Sequence, residues 1–517
     1  MSILVPTLPA SDQLHRDALT VLQPGFVGTE PPEWLRRHLA AGLGSVALFD
    51  RNVADLGQLA ALTSALRAEN PDLLIAIDEE SGDVTRLEAG SGSSWPGNLA
   101  LGAIDDPALT RDVARELGRA LAAAGVNYNW APTADVNSNP RNPVIGVRSF
   151  GADPELCARH TAAWVEGLQS AGVAACSKHF PGHGDTAVDS HIGLPVIDVD
   201  LDVLSSRDLV PFRAAIAAGT KAVMTAHIMV PALDPKLPAT LSPAVLRDLL
   251  RAAPEQGGLG YQGLIVSDAI EMGAIADTFG MGEGTVLALA AGADAICVGG
   301  GLADEDTVLM LRDAIVAGVR SGRLPEERLA DAAARVRSLG SWARIAAQGE
   351  RPEADLAVGL RAARRALRVV RAPGREVLPV TERPFVASFS AEPNIAVGDV
   401  TPWGVAGMLA DRFPGTRTRA IGPEIAEAAV LDAVVSEVLA GAADRRLVLA
   451  VRDAHRHEWM SAGLNRLLAA RPDAAVVEMG LPQSEPVGAL YIATHGAARV
   501  CGLAAVEVLT GQSGAIG

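Results

Sequence analysis

The feature that most constrains this chain is a series of apolar segments of strand length, each followed by a helical pattern. Many are Val, Ala, Ile and Leu runs without polar alternation, which is typical of strands buried on both faces. Eight such segments in roughly 280 residues match the size of a (β/α)8 barrel, with a doubly wound open sheet as the alternative. The segments are ALTVL (18–22), SVALF (45–49), LLIAI (73–77), VNYNWA (126–131), VAACS (173–177), AVMTA (222–226), LIVS (264–267) and AICVGG (295–300).

A second, smaller α/β unit is predicted after the barrel. A helical tract runs from about Glu305 to Ala372, and a stretch punctuated by proline, Pro373 to Pro384, marks a boundary. Further strand-like segments then alternate with helices, which is typical of an α/β sandwich. We therefore predict a barrel domain at 1–372 and a sandwich domain at 384–517. The later segments are FVASFS (385–390), RRLVLAVRD (445–453), AAVVEMG (474–480) and ALYIATHG (489–496).

Composition excludes several classes of protein. A formal net charge of -17 argues against a nucleic-acid partner, because phosphate backbones require a basic surface. The chain has four cysteines and no C-x-x-C pair, so neither a disulfide framework nor a zinc knuckle is indicated. No secretory signal and no uncharged apolar segment long enough to cross a membrane is recognisable, which favours a cytoplasmic protein without a membrane partner.

Polar side chains stand where several of the predicted strands end. In a parallel barrel the carboxyl ends of the strands meet on one rim, and barrel enzymes place their chemistry there. A single aspartate after a strand is usually a helix cap, but several polar groups converging on one rim indicate a site. The residues are Asp78, Asp135, Lys178, His179, His227 and Asp268.

The densest polar segment is SKHFPGHGDTAVDSHIGLP, from Ser177 to Pro195. Its histidines and aspartates are too polar for a core, and its glycines exclude a helix, so it is predicted to be a shaped loop. The alternatives are a metal site or a hydrogen-bonded surface loop. The histidines lack the i, i+4 spacing of a helical ligand pair, and we predict no metal.

Five motifs together resemble family 3 glycoside hydrolases of the β-N-acetylglucosaminidase type, which include enzymes of peptidoglycan recycling. They occur in the family's order and cover most of the predicted barrel. The resemblance implies a carbohydrate hydrolase that needs no cofactor. The motifs are DEESGDVTRL (78–87), NPVIGVRSFGADP (142–154), KHFPGHGDT with DSH (178–191), VMTAHI (223–228) and VSDAIEM (266–272).

The resemblance implies catalytic roles for three residues. Asp268 corresponds to the nucleophile, whose carboxylate forms a glycosyl-enzyme that water then releases. His191, oriented by Asp189, corresponds to the acid/base that is a carboxylic acid in most glycosidases. Histidine titrates near neutrality, so its cation can protonate the leaving oxygen and its neutral form can activate water. The alternative makes Asp189 a turn residue and His191 an exposed side chain.

Further roles follow from the same resemblance. Sugar binding is expected from charged and polar groups, which form strong directional hydrogen bonds with hydroxyls. Arg148 could instead be an ion-pair partner and Arg86 a helix cap. The segment after Asp78, EESGDV, also departs from the family, in which a pair of glycines commonly precedes the next hydrophobic position, so Ser81 and Asp83 are expected to alter the rim of the pocket. The residues implied to bind sugar are Asp78, Arg86, Arg148, Lys178 and His179, and those implied to support the loop or the strand ends are His183, Asp185 and His227.

The predicted function is removal of terminal β-linked N-acetylglucosamine from a muropeptide or a chitin-type fragment, with retention of configuration. The alternatives are a phosphorylase that uses phosphate in place of water, another family 3 β-glycosidase, and an inert sugar-binding protein. The second domain is expected to serve stability or dimerisation, and the sequence leaves the oligomeric state open.

Overall fold

The structure, a computed structural model, divides by its internal contacts into two compact units. Unit 1 comprises Met1–Glu79, Ala114–Val136 and Asp153–Ala354, and unit 2 comprises Glu80–Val113, Asn137–Ala152 and Asp355–Gly517. The domain boundaries at 1–372 and 384–517 stay a prediction. The residues that the structure describes are 10–188, 193–302, 304–349, 352–374, 377–391, 396–398 and 400–512.

Unit 1 contains parallel strands arranged in sequence order, which confirms the predicted barrel. β2 to β7 form one sheet whose neighbours are all parallel, and β1 pairs in parallel with β8. A bridge between Val266 and Ala295 connects the seventh strand to the segment that enters the eighth. The strands are β1 (Leu22–Pro24), β2 (Ser45–Leu48), β3 (Leu74–Ile77), β4 (Tyr128–Asn129), β5 (Ala174–Phe180), β6 (Ala222–Thr225), β7 (Leu264–Val266) and β8 (Ile296–Val298).

The interior of the barrel is a packed apolar core. Alternate residues of the strands, among them Tyr128, Cys176, Met224 and Cys297, form one buried cluster. Because these side chains fill the interior, polar groups can gather only at the ends of the strands.

Helices alternate with the barrel strands and continue through the rest of the chain. None of the described helices is long and apolar enough to cross a membrane. The helix α7 continues through a π-helical turn, Leu204–Asp208, into α8. The helices are α1 (Ala10–Thr20), α2 (Glu33–Ala41), α3 (Leu56–Glu69), α4 (Asn98–Ile104), α5 (Pro107–Ala123), α6 (Pro154–Ser170), α7 (Leu201–Val203), α8 (Leu209–Ala217), α9 (Gly273–Ala276), α10 (Met281–Ala291), α11 (Glu305–Arg320), α12 (Glu326–Ala346), α13 (Ala357–Ala366), α14 (Ala406–Arg412), α15 (Ala428–Gly441), α16 (Glu458–Ala470) and α17 (Arg499–Leu509).

Unit 2 contains a six-stranded sheet, as the predicted α/β sandwich requires. Its order is β11-β10-β12-β13-β14-β9, parallel except for β9 at one edge. Alternate residues of β10 point to opposite faces, with Phe385 in one buried cluster and Val386 in another. The strands are β9 (Arg368–Arg371), β10 (Phe385–Phe389), β11 (Arg417–Ile421), β12 (Leu447–Val451), β13 (Ala475–Glu478) and β14 (Leu490–Ala493).

At two places the predicted type of element is wrong. The first strand was expected at 18–22, but helix α1 extends to Thr20 and the strand begins at Leu22. A short apolar run cannot by itself distinguish the end of a buried helix from a strand. The helical tract was expected to reach Ala372, but it ends at Ala366, and Arg368–Arg371 forms strand β9. The adjacent β-branched residues Val369 and Val370 favour this change.

Two early segments of the chain belong to unit 2. Leu99 and Val147, from these segments, pack with Leu481 in one buried cluster. The Asp83 carboxylate accepts a hydrogen bond of 2.7 Å from the backbone N–H of Ala497 and forms an ion pair with Arg452. Asp83, which departs from the family pattern, is therefore an anchor within this unit.

Candidate active site

Asp78 and Lys178 form an ion pair at the carboxyl ends of β3 and β5, two strands of the barrel that are separated by β4. Asp78 directly follows β3, and Lys178 lies in β5, which continues to Phe180, beyond the predicted end of this strand. Lys178 Nζ donates a hydrogen bond to Asp78 Oδ1. The lysine side chain is 3% exposed and that of the aspartate is 19% exposed, so the pair lies at the border between core and solvent.

His179 is held by Asp135, a residue that the sequence placed at a strand end without assigning it a catalytic or sugar-binding role. Its Nδ1 lies 2.7 Å from Asp135 Oδ2, and its backbone N–H donates to Oδ1 at 3.2 Å. Burial alone would raise the pKa of Asp135, but its contacts with His179 and with the backbone N–H of His183 hold this pKa below its ordinary value. Asp135 is therefore an ionised and fully buried hydrogen-bond acceptor.

The loop that begins after β5 is fixed at its start by several polar contacts. His183 donates its backbone N–H to Asp135 Oδ1 at 2.6 Å, and its Nδ1 lies 2.8 Å from the Thr186 hydroxyl. Burial, together with His179, lowers the pKa of His183 to about 4, so its ring is neutral at physiological pH. The supporting role of His183 stays a prediction.

Asp185, in the same loop, is bound by an arginine on the π-helical turn. Arg207 donates to Asp185 Oδ2 at 2.9 Å and to Asp208 Oδ2 at 3.0 Å. Burial raises the pKa of Asp208 to about 6, although the contact with Arg207 opposes this shift. Arg207 therefore connects the loop to a buried carboxylate in the helix behind it.

Asp268 lies two residues beyond β7 and is partly exposed. Its Oδ1 accepts a hydrogen bond of 2.8 Å from the backbone N–H of Ala269. His227, which is fully buried, contacts the backbone carbonyl of the same Ala269 through Nε2 at 3.0 Å. The Asp268 carboxylate is thus held by the backbone of Ala269, and that backbone is held by His227.

The buried thiols of Cys176 and Cys297 indicate that the charged groups converge. Burial raises the pKa of Cys176 to about 12 and that of Cys297 well above its ordinary value. The charges of Asp78, Lys178 and Asp268 act on both thiols. These three predicted site residues stand at the carboxyl ends of β3, β5 and β7, which run parallel, so they lie at the same end of the barrel.

Arg86 and Arg148, the other predicted sugar-binding residues, belong to unit 2. Arg148 donates to both oxygens of Glu80, at 2.9 Å from Nε and 2.7 Å from Nη2, and both side chains are buried. Arg86 donates to the carbonyl oxygen of Ala396 at 2.8 Å. The ion pair of Arg148 is the alternative that its sequence context left open, and sugar binding by either arginine stays a prediction.

Asp189 and His191, the predicted acid/base pair, lie outside the described residues. Within the described ranges, histidine, cysteine, aspartate and glutamate side chains form no group of three or more that could hold a metal ion.

Comparison with known proteins gives the family. The family model described as "Glycosyl hydrolase family 3 N terminal domain" matches residues 26–339. A β-hexosaminidase A of Pseudoalteromonas piscicida is 37% identical over 60% of this chain, a match that covers 55% of that relative. A β-hexosaminidase of Stenotrophomonas maltophilia is 39% identical over 53% of this chain and 82% of its own length.

A solved structure is similar over nearly the whole chain. A family 3 β-N-acetylglucosaminidase from a Paenibacillus species superimposes with a TM-score of 0.85 at 35% identity, covering 98% of this chain and 97% of that one. The chain is therefore a glycoside hydrolase built on a (β/α)8 barrel. It belongs to glycosyl hydrolase family 3, because the family match spans more than half of its length.

Proposed function

We propose that this enzyme removes terminal β-linked N-acetylglucosamine from a glycoconjugate by hydrolysis, with retention of configuration. The observation that carries the proposal is the position of Asp268, a partly exposed carboxylate after β7 whose orientation is set by the Ala269 N–H. The names of the relatives, β-hexosaminidase and β-N-acetylglucosaminidase, support the choice of sugar.

The proposed reaction has two steps. In the first, an Asp268 oxygen attacks C1 of the sugar, the bond from C1 to the glycosidic oxygen breaks, and His191 gives its proton to the departing oxygen. In the second, water attacks C1, His191 takes a proton from that water, and the ester bond to Asp268 breaks. Two inversions at C1 give net retention. The roles of His191 and Asp189 rest on the family resemblance.

Ground-state binding is assigned to the strand-end groups of unit 1. The Asp78 carboxylate accepts hydrogen bonds from sugar hydroxyls, and the Lys178 ammonium donates to them. Their contact with each other keeps the buried ammonium paired before sugar arrives, which avoids the cost of an isolated buried charge. The peptidoglycan or chitin origin of the substrate stays a prediction from the resemblance, and a cytoplasmic location stays a prediction from the sequence.

Hydrolysis of paired aryl glycosides tests the proposal. We expect the 4-nitrophenyl N-acetyl-β-glucosaminide to be cleaved in preference to the β-glucoside, with the β-anomer of the sugar appearing first in NMR spectra. Asp268→Asn should lower kcat by several orders of magnitude. Asp234→Asn, at a surface turn outside the site, is the matched control and should leave kcat unchanged.

Three results would contradict the proposal. A preference for the glucoside would reject the sugar assignment, and ordinary turnover by Asp268→Asn would reject the nucleophile. Accumulation of a sugar 1-phosphate when phosphate is added would identify a phosphorylase. A 5-fluoro N-acetylglucosaminyl fluoride, which slows release of the ester, should allow mass spectrometry to locate the sugar on Asp268.

A further inference from the structure

The carboxylate of Asp135 joins two parts of unit 1 that the proposed reaction uses. Oδ1 accepts the backbone N–H groups of His179 and His183, at 3.2 and 2.6 Å, and Oδ2 faces His179 Nδ1 at 2.7 Å. The side chain of Asp135 is completely buried. Each of these three contacts goes to the end of β5 or to the loop that follows it.

The contact with Oδ2 determines which nitrogen of His179 carries the proton. An ionised carboxylate can only accept hydrogen bonds, so Nδ1 must be the donor. In the neutral imidazole, Nε2 then carries the lone pair and can accept a hydrogen bond. The ring of His183 lies edge-on to that of His179 at 5.9 Å between centroids, and this neighbouring ring is itself neutral.

We infer that Asp135 is a positioning residue that fixes the Nδ1–H tautomer of His179, so that Nε2 accepts a hydrogen bond from a sugar hydroxyl. The inference rests on the proposed function, in which His179 binds the sugar. The inference gives the site a hydrogen-bond acceptor next to a hydrogen-bond donor. Lys178 supplies a donor and His179 supplies an acceptor, so adjacent residues of β5 can match a hydroxyl that accepts and one that donates.

Replacement of Asp135 by asparagine isolates this effect. The amide oxygen can still accept the backbone N–H groups of His179 and His183, so the start of the loop keeps its support. The amide nitrogen can only donate, however, so His179 Nδ1 must become the acceptor and Nε2 must gain the proton. Asp135→Asn therefore reverses the polarity of His179 while preserving the shape of the site. Asp135→Ala removes all three contacts and should also lower thermal stability.

The tautomer can be measured without substrate. In protein labelled with 15N-histidine, two-bond proton–nitrogen NMR spectra distinguish the Nδ1–H form from the Nε2–H form, and His179→Gln identifies the resonances of His179. We expect the Nδ1–H form in the natural protein and the Nε2–H form in Asp135→Asn. An Nε2–H form in the natural protein would overturn the inference whatever the activity of the enzyme.

Kinetics tests whether the tautomer matters for binding. Asp135→Asn should lower kcat/KM for the aryl N-acetylglucosaminide about 10- to 100-fold, by analogy with the loss that follows when a metal-binding histidine is deprived of its hydrogen-bond partner. Most of the loss should appear in KM, because a sugar contact made throughout the reaction contributes uniform binding. Asp234→Asn, which also changes a carboxylate that accepts two backbone N–H groups, should have no effect.

A double-mutant cycle separates action through His179 from general damage. In the His179→Gln background, Asp135→Asn should change kcat/KM by less than about twofold, because its target is already absent. An equal loss in both backgrounds, or no loss in either, would reject the inference. If the natural enzyme fails to cleave the glycoside, the proposed function fails, and the NMR result still decides the tautomer.

Discussion

The imidazole of His227 and the backbone carbonyl of Ala269 are joined by a hydrogen bond of 3.0 Å. A carbonyl can only accept, so Nε2 of this buried ring carries the proton, and Nδ1 faces the Thr240 hydroxyl at 2.8 Å. The N–H of the same Ala269 donates to the Asp268 carboxylate. The histidine therefore supports the predicted nucleophile through the backbone of a single residue, Ala269.

The first prediction follows from this support. His227→Ala should lower kcat about 10- to 100-fold with little change in KM, because it loosens the nucleophile without removing a sugar contact. His227→Gln can place an amide N–H near the position of Nε2 and should recover most of the activity. Steady-state kinetics with the aryl N-acetylglucosaminide measures both. If His227→Ala and His227→Gln lowered kcat and KM to the same extent, this role would be contradicted.

The contacts of Arg207 with Asp185 in the loop and with the buried Asp208 give a second prediction. Arg207→Met should lower kcat, since it releases Asp185, and should destabilise the fold by about 3–5 kcal/mol, since Asp208 keeps a buried carboxylate without its cation. Arg213→Met, on the exposed surface of α8, is the control and should do neither. Urea unfolding and steady-state kinetics test the two effects. An unaltered kcat in Arg207→Met would show that the contact of Arg207 with Asp185 does not contribute to catalysis.

The buried pair of Glu80 and Arg148 gives a third prediction, on stability. Glu80→Met removes one partner and should cost about 3–5 kcal/mol, because the buried guanidinium of Arg148 loses the carboxylate that faces its Nε and Nη2. Adding Arg148→Leu removes that charge, so the double variant should be more stable than Glu80→Met alone. The free energies of unfolding in urea decide this. A double variant weaker than the single one would argue against an electrostatic cause.

The fourth prediction concerns pH. Burial, with the nearby Asp453, raises the pKa of Glu478 from an ordinary 4.5 to about 7 in the folded protein. The folded state thus retains a proton that the unfolded chain releases, so the free energy of unfolding falls as pH rises through this interval and levels off above it. The loss attributable to Glu478 is at most about 3 kcal/mol.

Replacement of this group provides the test. Glu478→Gln cannot titrate, so the difference in unfolding free energy between about pH 5 and about pH 8 should be smaller in this variant than in the natural protein. Glu437→Gln, at an exposed position of α15, should leave the pH dependence as it is. Identical pH profiles for the natural protein and Glu478→Gln would contradict the prediction.

Much of the fold could be predicted from the sequence because its strands are buried on both faces. Segments such as LLIAI and AVMTA have the apolar continuity of parallel strands, and both form strands at or near the predicted positions. Strand β9 could not be recognised, since it is short, lies at a sheet edge and carries an arginine at each end. Strand β11 was missed for a similar reason, because its sequence, RTRAI, alternates charge with small residues.

The strand-end rule identified Asp78, Lys178 and Asp268, whose charges the structure brings to one end of the barrel. This rule could not predict contacts between residues that are far apart in the sequence. Asp135 stands 44 residues before His179, and Glu80 stands 68 residues before Arg148. Nothing local to either residue specifies its partner, since a three-dimensional contact between strand ends depends on the order of the strands.

Unit 2 includes residues near position 80 as well as the C-terminal helix, and the contact of Asp83 with Ala497 spans 414 positions of the sequence. During synthesis on the ribosome, the early segments of this unit can contact each other, but nearly all of the chain must be made before they meet their C-terminal partners. The barrel strands of unit 1 are complete by Val298. Vectorial folding thus favours a barrel that forms first, and an isolated fragment starting at residue 384 would lack strand β9 and the early segments of its own unit.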